Sequence, residues 1–451
     1  MNLKTVNNIY FLGIGGIGMS ALARYFHFQG KNIAGYDRTP SPLTDQLQDE
    51  GIQIHFTESP ELIPSKTELI IYTPAIPEDN KELIQLKESE IPMLKRSEIL
   101  GEISKDYYTI AIAGTHGKTT ITSMISHILK YNDIAINAFI GGIANNFNSN
   151  LVLSKNAKVM VVEADEFDRS FLSLHPDMAI ISAMDADHLD IYQNAEYLKD
   201  SFFMFTEQIK TGGWLISQNQ LEVAAGFRGK LMRYSATEKS DFYAVNIHAE
   251  NGKTHFDLYK ENSLISNFSL LMPGNHNVEN AVAAIIACSA YGLEMPQIKE
   301  GLDSYLGVKR RFEFLIRNEN LVMIDDYAHH PQEIKASIQA VRSLFPNKKL
   351  TAVFQPHLYS RTRDFMDDFA KSLSAVDELI LLDIYPAREK PIEGISSAFL
   401  LEKVNLSSKY LWSKEELVQK IDQLEIELLI MMGAGDIDRL LQSVKEKLLN
   451  R

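Results

Sequence analysis

Apolar, β-branched stretches recur along this chain, and most of them run into a glycine loop or a polar segment and then into a helical pattern. This order predicts an α/β fold, because strands of a parallel sheet are covered on both faces and polar residues gather where the strands end. The predicted strands lie within residues 9–12, 33–36, 69–73, 108–113, 158–162, 178–184, 321–324, 350–354, 378–382 and 428–432.

Two parts of the pattern add detail to this α/β prediction. Residues 241–260 alternate between apolar and polar positions around Asn251-Gly252, which predicts a hairpin at an antiparallel edge of the middle domain. After residue 320, four apolar strands each end in polar residues before a helix. This repetition predicts a parallel sheet whose upper rim is polar.

Composition narrows the class of protein. The 451 residues are too many for one ordinary core and predict about two to four domains. No apolar run reaches the length of a membrane span, and the net charge of −14 opposes nucleic-acid binding. The single cysteine, Cys288, lies in an alanine-rich stretch and is expected to pack in a core. It excludes an internal disulfide and is typical of a cytoplasmic protein.

The segment from Gly114 to Thr120 carries the strongest chemical signal. It reads Gly-Thr-His-Gly-Lys-Thr-Thr between a predicted strand and a predicted helix, the context that a phosphate-binding loop requires. Backbone amides and the helix N-terminus would face the phosphates, Lys118 would reach the terminal ones, and Thr119 would bind Mg²⁺. Ile112 stands where the longer form of this motif has glycine. The alternative is a tight turn with a chance lysine.

A second glycine loop follows the first strand. Residues 13–18 read Gly-Ile-Gly-Gly-Ile-Gly, and Asp37 ends the next strand, as in a Rossmann domain with a diphosphate on its helix N-terminus. The motif does not specify NAD, and its glycines could simply allow close packing of strand and helix. The strand that ends near Thr73 runs to the same edge of the sheet. Lys95-Arg96 offers local positive charge or is a solvated basic pair.

Carboxylates follow the next two strands. Glu163 comes directly off a β-branched strand, like the second metal-binding strand beside a phosphate loop, and is the first choice for a Mg²⁺ ligand. The neighbouring Asp165, Glu166 and Asp168 are interpreted as helix-capping or solvated. His188, within Asp187-His188-Leu189-Asp190, is expected to bind a metal or a phosphate, with a structural role as the alternative.

The last third of the chain is rich in imidazole and guanidinium groups. They follow the strands within Asp325–Pro331 and Gln355–Arg363 and suit carboxylate recognition, because arginine binds carboxylates through two parallel hydrogen bonds. A basic cluster, Lys309–Glu313, marks a boundary between domains. Asn275-His276-Asn277 could cap a helix or contact an adenine.

Taken in order, these motifs resemble those of the Mur ligase family along essentially the whole chain. The resemblance implies three domains: a Rossmann-like UDP-sugar domain over 1–105, a central phosphate-loop ATP domain over 106–306 and a Rossmann-like amino-acid domain over 307–451. It rests on eight segments, which are 13–20, 114–120, 163–166, 187–190, 274–277, 309–312, 325–331 and 354–357.

The resemblance also implies roles for individual residues. Those expected to bind UDP-sugar are Gly15, Gly16, Ile17, Gly18, Asp37 and Thr73. Those expected to bind ATP are Gly114, Thr115, His116, Gly117, Lys118, Thr119, Thr120, His276, Asn280 and Arg311. Thr119 and Glu163 would bind one Mg²⁺ and His188 a second. Those expected at the amino-acid end are Tyr327, His329, Arg361 and Arg363. The catalytic set would be Lys118, Glu163, His188, His329 and Arg361.

The implied activity is an ATP-dependent ligation of L-alanine to the carboxylate of UDP-N-acetylmuramate through an acyl phosphate, in cytoplasmic peptidoglycan precursor synthesis. The implied partners are these substrates and Mg²⁺, without nucleic acid or membrane insertion, in a monomer or weak homodimer. Leu358 stands where many relatives have arginine, and Phe167 where serine is commoner. His329, His330 and His357 are candidates for the general base. The alternatives are a sibling ligase that attaches a peptide, a nicotinamide-dependent oxidoreductase and a non-catalytic nucleotide switch.

Overall fold

Three β-sheets follow one another along the chain in the computed structural model, which describes residues 3–184, 195–223, 226–250, 253–387 and 389–450. The first is a five-stranded parallel sheet in the order β3-β2-β1-β4-β5. Its strands are β1 Asn8–Leu12, β2 Asn32–Tyr36, β3 Gln53–His55, β4 Leu69–Tyr72 and β5 Met93–Lys95. Its helices are α1 Ile17–Phe28, α2 Pro42–Asp49, α3 Lys81–Glu88 and α4 Arg96–Ser104.

The second sheet has ten strands in the order β15-β14-β13-β12-β11-β10-β6-β9-β7-β8. Its strands are β6 Tyr108–Ala113, β7 Ile136–Ala144, β8 Ser149–Val152, β9 Val159–Glu163, β10 Met178–Ile181, β11 Trp214–Gln218, β12 Lys230–Ser235, β13 Phe242–Glu250, β14 Lys253–Lys260 and β15 Ser263–Leu270. The helices of this part are α5 Lys118–Tyr131, α6 Ala195–Glu207, α7 Asn275–Tyr291 and α8 Met295–Asp303.

Strand order in the second sheet places two of the predicted motifs side by side. β6 lies between β10 and β9 and is parallel to both, with Ile112 opposite Glu163. The carboxyl ends of parallel strands meet at one edge of a sheet, where ligands bind in open α/β folds. The loop after β6 and the acidic segment after β9 therefore lie next to each other.

The third sheet has six strands in the order β16-β17-β21-β18-β19-β20, parallel except for β16 against β17. Its strands are β16 Glu313–Arg317, β17 Val322–Asp326, β18 Leu350–Phe354, β19 Glu378–Leu381, β20 Lys409–Leu411 and β21 Leu428–Met432. Its helices are α9 Pro331–Leu344, α10 Tyr359–Asp364, α11 Met366–Leu373, α12 Ser397–Lys403, α13 Lys414–Lys420 and α14 Leu441–Leu449.

The chain divides into two compact units. One consists of Met1–Val245, Asp257–Phe268 and Glu279–Tyr305, and the other of Asn246–Phe256, Ser269–Val278 and Leu306–Arg451. In the first unit, buried residues from the first and second sheets form one continuous hydrophobic core. At the contact between α4 and the 3₁₀ turn Phe167–Ser173, a Cβ atom built on Gly101 would lie 2.3 Å from the carbonyl oxygen of Ser173. Glycine therefore permits this close approach.

The α/β class with three sheet-based domains is confirmed, and Cys288 is buried as predicted. The domain boundaries after residues 105 and 306 stay predictions. The turn at Asn251-Gly252 lies outside the described residues. The predicted ranges omit the strands β3, β5, β7, β8, β11, β12, β15, β16 and β20. Of these, β3, β5 and β20 have three residues each, which is too few to show a period. Within the described ranges, no helix combines the length and the apolar character needed to cross a membrane.

Candidate active site

The loop between β6 and α5 has the backbone that a phosphate site needs. Gly114 has φ +135° and Gly117 has φ +83°, values that side chains other than glycine rarely adopt. Gly117 precedes α5 without any side-chain cap, so the first amides of this 14-residue helix have no partner of that kind. A Cβ atom on Gly117 would lie 2.4 Å from Asn280 Oδ1. The loop is thus a narrow cradle with an electropositive helix end.

Lys118 lies across this loop and contacts an acidic residue. Its Nζ donates to the carbonyl oxygen of Gly114 at 2.6 Å and to Glu166 Oε1 at 2.8 Å. The two side chains are only 14% and 1% exposed. Burial lowers the pKa of Lys118, but Glu166, Glu163 and Asp165 together raise it above its ordinary value. The lysine is therefore held in its charged form.

Thr119 and Glu163 place oxygen atoms beside the loop. The Thr119 hydroxyl is 2.9 Å from Glu163 Oε2 and 3.1 Å from Oε1, and the amide of Gly141 donates to Oε2 at 2.8 Å. A hydroxyl and a carboxylate fit Mg²⁺, which prefers oxygen and keeps waters and substrate phosphates among its ligands. Over the described part of the chain, no cluster of three or more His, Cys, Asp or Glu is placed to hold a metal.

The acidic segment after β9 differs from the sequence interpretation at Glu166. A helix-capping or solvated role is wrong for this residue, because its side chain is buried against Lys118. Asp165 is 40% exposed, and its Oδ2 is 3.5 Å from Arg96 Nη2. His188, with the whole of residues 185–194, and the side chain of Asp168 lie outside the described residues, so their predicted roles stay predictions.

The first glycine loop also leads directly into a helix whose N-terminus has no side-chain cap. Gly16 precedes Ile17, the first residue of α1, and Gly13 has φ +87°. The amide of Gly15 donates to Asp37 Oδ2 at 2.7 Å, so the carboxylate predicted to bind the UDP-sugar contacts the loop itself.

Two further side chains approach this loop. A Cβ atom on Gly13 would lie 2.6 Å from Thr73 Cγ2, and one on Gly18 would lie 2.9 Å from Arg96 Nη1. The structure therefore brings the predicted loop residues together with Asp37 and Thr73. The structure also places Arg96 at this loop. From the sequence, Lys95-Arg96 could be either local positive charge for a binding site or a solvated basic pair.

Aromatic and basic side chains cluster at the rim of the third sheet. The rings of Tyr327 and His329 are 5.3 Å apart, and those of His329 and His357 are 6.2 Å apart. Arg361 Nη1 is 3.4 Å from His357 Nδ1. Tyr385, which is not among the predicted site residues, stacks on His357 at 5.6 Å with an interplanar angle of 20°. The signal that could have found it is its position directly after an apolar strand, as for the others.

The imidazole of His329 is poorly suited to a positive charge. Burial lowers its pKa, and the nearby Arg361 and Arg311 act in the same direction, while Glu333 opposes them. A neutral ring can accept a proton, so His329 remains a candidate base. Arg363 does not join the cluster: within the described chain its ion pair is with Asp364 at 2.8 Å, and its side chain is 52% exposed.

Leu358 occupies a strained position next to this cluster. It has φ +72°, which is rare for a side chain of this kind, and its amide donates to the Tyr385 carbonyl oxygen at 2.9 Å. The backbone turn that presents His357 and Arg361 is thus fixed by Tyr385. The leucine side chain itself adds no charge there.

The basic cluster before β16 contacts the same tyrosine, Tyr327. The guanidinium carbons of Arg310 and Arg311 lie 5.1 Å and 4.8 Å from its ring centroid. Behind them, Asp325 is fully buried and, among the described residues, neither of its carboxylate oxygens has a hydrogen bond. Burial raises its pKa to about 7, although Arg310 opposes this shift.

The remaining predicted ATP contacts are divided between the two units. Asn280 lies beside Gly117 in the first unit. His276, an exposed residue in the first turn of α7, and Arg311 belong to the second unit. Thr115 and Thr120 are buried within and just after the loop, and His116 is half-buried there.

Three family models match consecutive parts of the chain. The model described as "Mur ligase family, catalytic domain" matches residues 8–108, "Mur ligase middle domain" matches residues 112–288, and "Mur ligase, glutamate ligase domain" matches residues 310–435.

Individual proteins match over the full length. A curated UDP-N-acetylmuramate–L-alanine ligase of Flavobacterium psychrophilum is 49% identical over 452 residues, which is 99% of each chain. The crystal structure of the UDP-N-acetylmuramate–alanine ligase of Thermotoga maritima has a TM-score of 0.84 at 26% identity and covers 98% of both chains. A murein peptide ligase of Psychrobacter arcticus 273-4 shares the fold, with a TM-score of 0.72 at 22% identity over 99% of both chains.

Proposed function

The chain belongs to the Mur ligase family, and from this premise we propose that it joins L-alanine to UDP-N-acetylmuramate with hydrolysis of ATP to ADP and phosphate. The observation that carries the proposal is the phosphate loop with Lys118 and Thr119 set against Glu166 and Glu163. The full-length relative at 49% identity, an L-alanine ligase by name, supports the choice of substrates. The product belongs to cytoplasmic peptidoglycan precursor synthesis.

The chemistry explains why a phosphate loop is required. A carboxylate is a poor electrophile, so it first attacks the γ-phosphorus of ATP, displaces ADP and forms an acyl phosphate. The amine of L-alanine then attacks the carbonyl carbon, and the tetrahedral intermediate releases phosphate. In such a reaction the protein mainly positions the reactants and neutralises charge. The charged Lys118 and the α5 amides perform that task at the phosphates.

Mg²⁺ is the implied metal at this site. Thr119 and Glu163 would hold one ion and His188 a second, and bound Mg²⁺ neutralises negative charge on the phosphates. The amide of Gly141 donates to the Glu163 carboxylate at 2.8 Å and so fixes the orientation of this ligand.

Each of the three predicted domains would bind a different substrate. Residues 1–105 would hold the UDP end through Gly15, Gly16, Ile17, Gly18, Asp37 and Thr73, and residues 106–306 would bind ATP. Residues 307–451 would receive the amino acid at the cluster around His329 and Arg361. Since Arg363 pairs with Asp364, Arg361 is the better candidate to bind the carboxylate of the amino acid. A homodimer or monomer is equally compatible with this scheme.

One assay tests the proposal. Purified protein is incubated with ATP, Mg²⁺ and UDP-N-acetylmuramate, amino acids or the peptide are added singly, and phosphate release is measured. Release that depends on L-alanine supports the proposal, whereas release that depends only on the peptide would identify the sibling peptide ligase. Hydride transfer to NAD without phosphate release would identify the oxidoreductase alternative, and nucleotide binding without turnover the switch.

A further inference from the structure

Two carboxylates of one short segment hold two consecutive residues of α5. Glu163, the last residue of β9, contacts Thr119, and Glu166, three positions later, contacts Lys118. The first pair is the proposed Mg²⁺ ligand set. In the second pair, Lys118 is proposed to act at the phosphates, whereas Glu166 is buried against the lysine and has no assigned role in the reaction.

Lys118 is a cation that faces the buried carboxylate of Glu166. The Glu166 side chain is 1% exposed, and each carboxylate oxygen lies 2.8 Å from Lys118 Nζ. Loss of one partner of a buried ion pair is strongly destabilising. The contact with Lys118 therefore contributes to keeping this acid buried.

The geometry leaves the lysine able to act. An ammonium group has three N–H donors. Lys118 uses them toward the Gly114 carbonyl oxygen at 2.6 Å and toward Glu166, which fixes the Nζ position on the loop. Because the two oxygens of Glu166 can share one donor, a further donor can serve a phosphate oxygen in the cradle.

We infer that Glu166 is a positioning residue for Lys118: it anchors the ammonium group against the loop so that the group meets the transferring phosphoryl group at a fixed angle. This inference rests on the proposed function. It makes Glu166 important for the rate and not for the binding of ATP, because a mobile lysine still attracts phosphates. Removal of the negative charge of Glu166 should also not weaken the binding of the anionic ATP.

The first test separates rate from binding. Glu166→Gln keeps the shape of the side chain and removes its charge. We expect kcat to fall by about 10- to 100-fold, as for other residues that orient a catalytic group. The Kd for ATP, measured by calorimetry without sugar or amino acid, should stay within about threefold, because the lost interaction acts in the transition state. Glu166→Asp should recover part of kcat.

Glu102→Gln is the matched control. It makes the same chemical change at a carboxylate that is 40% exposed and pairs with Lys105. We expect its kcat to stay within about twofold of the wild type. Equal losses of kcat in Glu102→Gln and Glu166→Gln would overturn the inference, because the loss of any carboxylate would then explain both. A kcat of Glu166→Gln within about twofold of wild type would also overturn it.

A stability measurement covers the case in which Glu166→Gln folds poorly. Lys118→Met leaves the Glu166 carboxylate buried without its cation and should lower the Tm, and the double variant Lys118→Met/Glu166→Gln should recover part of that loss. Additive effects on the Tm would show that the two side chains do not act as a pair. Both the Tm and the ATP affinity are measured without turnover, so a failure of the proposed ligation in the wild type is distinguishable from a failure of this inference.

Discussion

The hydroxyl of Thr119 lies 2.9 Å from Glu163 Oε2, although the two residues are 44 positions apart in the chain. The contact follows from strand order, because β9 lies directly beside β6 and places Glu163 opposite Ile112. The start of α5 and the acidic end of β9 therefore form one oxygen-rich site.

Glu163→Gln should lose most of the Mg²⁺-dependent activity. The amide retains the size of the side chain but not the charge that attracts a divalent cation. We expect kcat to fall by about 100-fold or more, with a higher Mg²⁺ concentration needed for half-maximal phosphate release. Glu102→Gln, which removes a surface acid paired with Lys105, is the control. A variant that saturates with Mg²⁺ as the wild type does would contradict the assignment of Glu163.

Gly117→Ala should abolish ATP binding and lower the Tm. The new Cβ would lie 2.4 Å from Asn280 Oδ1 at a φ of +83°. Gly212→Ala is a matched control, since Gly212 has φ +77° but no atom within 4 Å of a Cβ added at that position. The control carries only the backbone strain of about 1 to 2 kcal/mol. The ATP affinity of the two variants is compared by calorimetry. Equal affinities would show that the cradle tolerates a side chain at Gly117.

Asp325 should make stability depend on pH. Burial raises its pKa from 3.8 to about 7; Arg310 opposes this shift, while Asp326, Glu313 and Asp438 add to it. Between these two pH values the folded chain binds a proton that the unfolded chain has released, so stability falls as the pH rises through the window.

The measurement for this prediction is a difference between two proteins. Asp325→Asn cannot ionise, so its Tm relative to the wild type should increase by a few degrees from about pH 5 to about pH 8. Groups elsewhere titrate in both proteins and cancel. A Tm difference that is the same at both pH values would mean that Asp325 ionises normally in the folded chain.

Tyr385→Leu should weaken binding of the amino acid. The Tyr385 ring stacks on His357 at 5.6 Å, and His357 contacts Arg361. Loss of one aromatic contact predicts a rise of about 3- to 10-fold in the KM for L-alanine, with the KM for ATP unchanged. Tyr385→Phe keeps the ring and should resemble the wild type. If both variants raise the KM equally, the hydroxyl and not the stacking is responsible.

Much of the fold can be predicted from the sequence. The long apolar strands and the two glycine loops are local features, and the structure has β1 at Asn8–Leu12 and β6 at Tyr108–Ala113, close to the predicted ranges. Short strands such as β5 and β20 cannot be predicted in this way, because neighbours in the sheet form them and not their own three residues. The roles of His188, His276 and Arg311 stay predictions.

The sequence predicts individual residues of the candidate site but not which of them contact each other. Glu163 can be recognised as a candidate metal ligand because it comes directly off a strand. The burial of Glu166 cannot be recognised, because its environment depends on Lys118, 48 positions away in the chain. Arg363 is expected beside Arg361, but α10 is a helix of six residues, and residues two positions apart on a helix point in different directions.

The amino-acid sequence alone specifies which chemical groups are present and where each strand meets its loop, since hydrophobic period, glycine positions and residue type are properties of short segments. Which carboxylate contacts which residue of α5 depends on β9 lying beside β6, and so it is settled only when the sheet forms. Which acids are buried away from water is likewise decided only when the chain folds. Nothing in the sequence marks Glu166 or Asp325 as buried, and only the folded chain distinguishes them from the partly exposed Asp165.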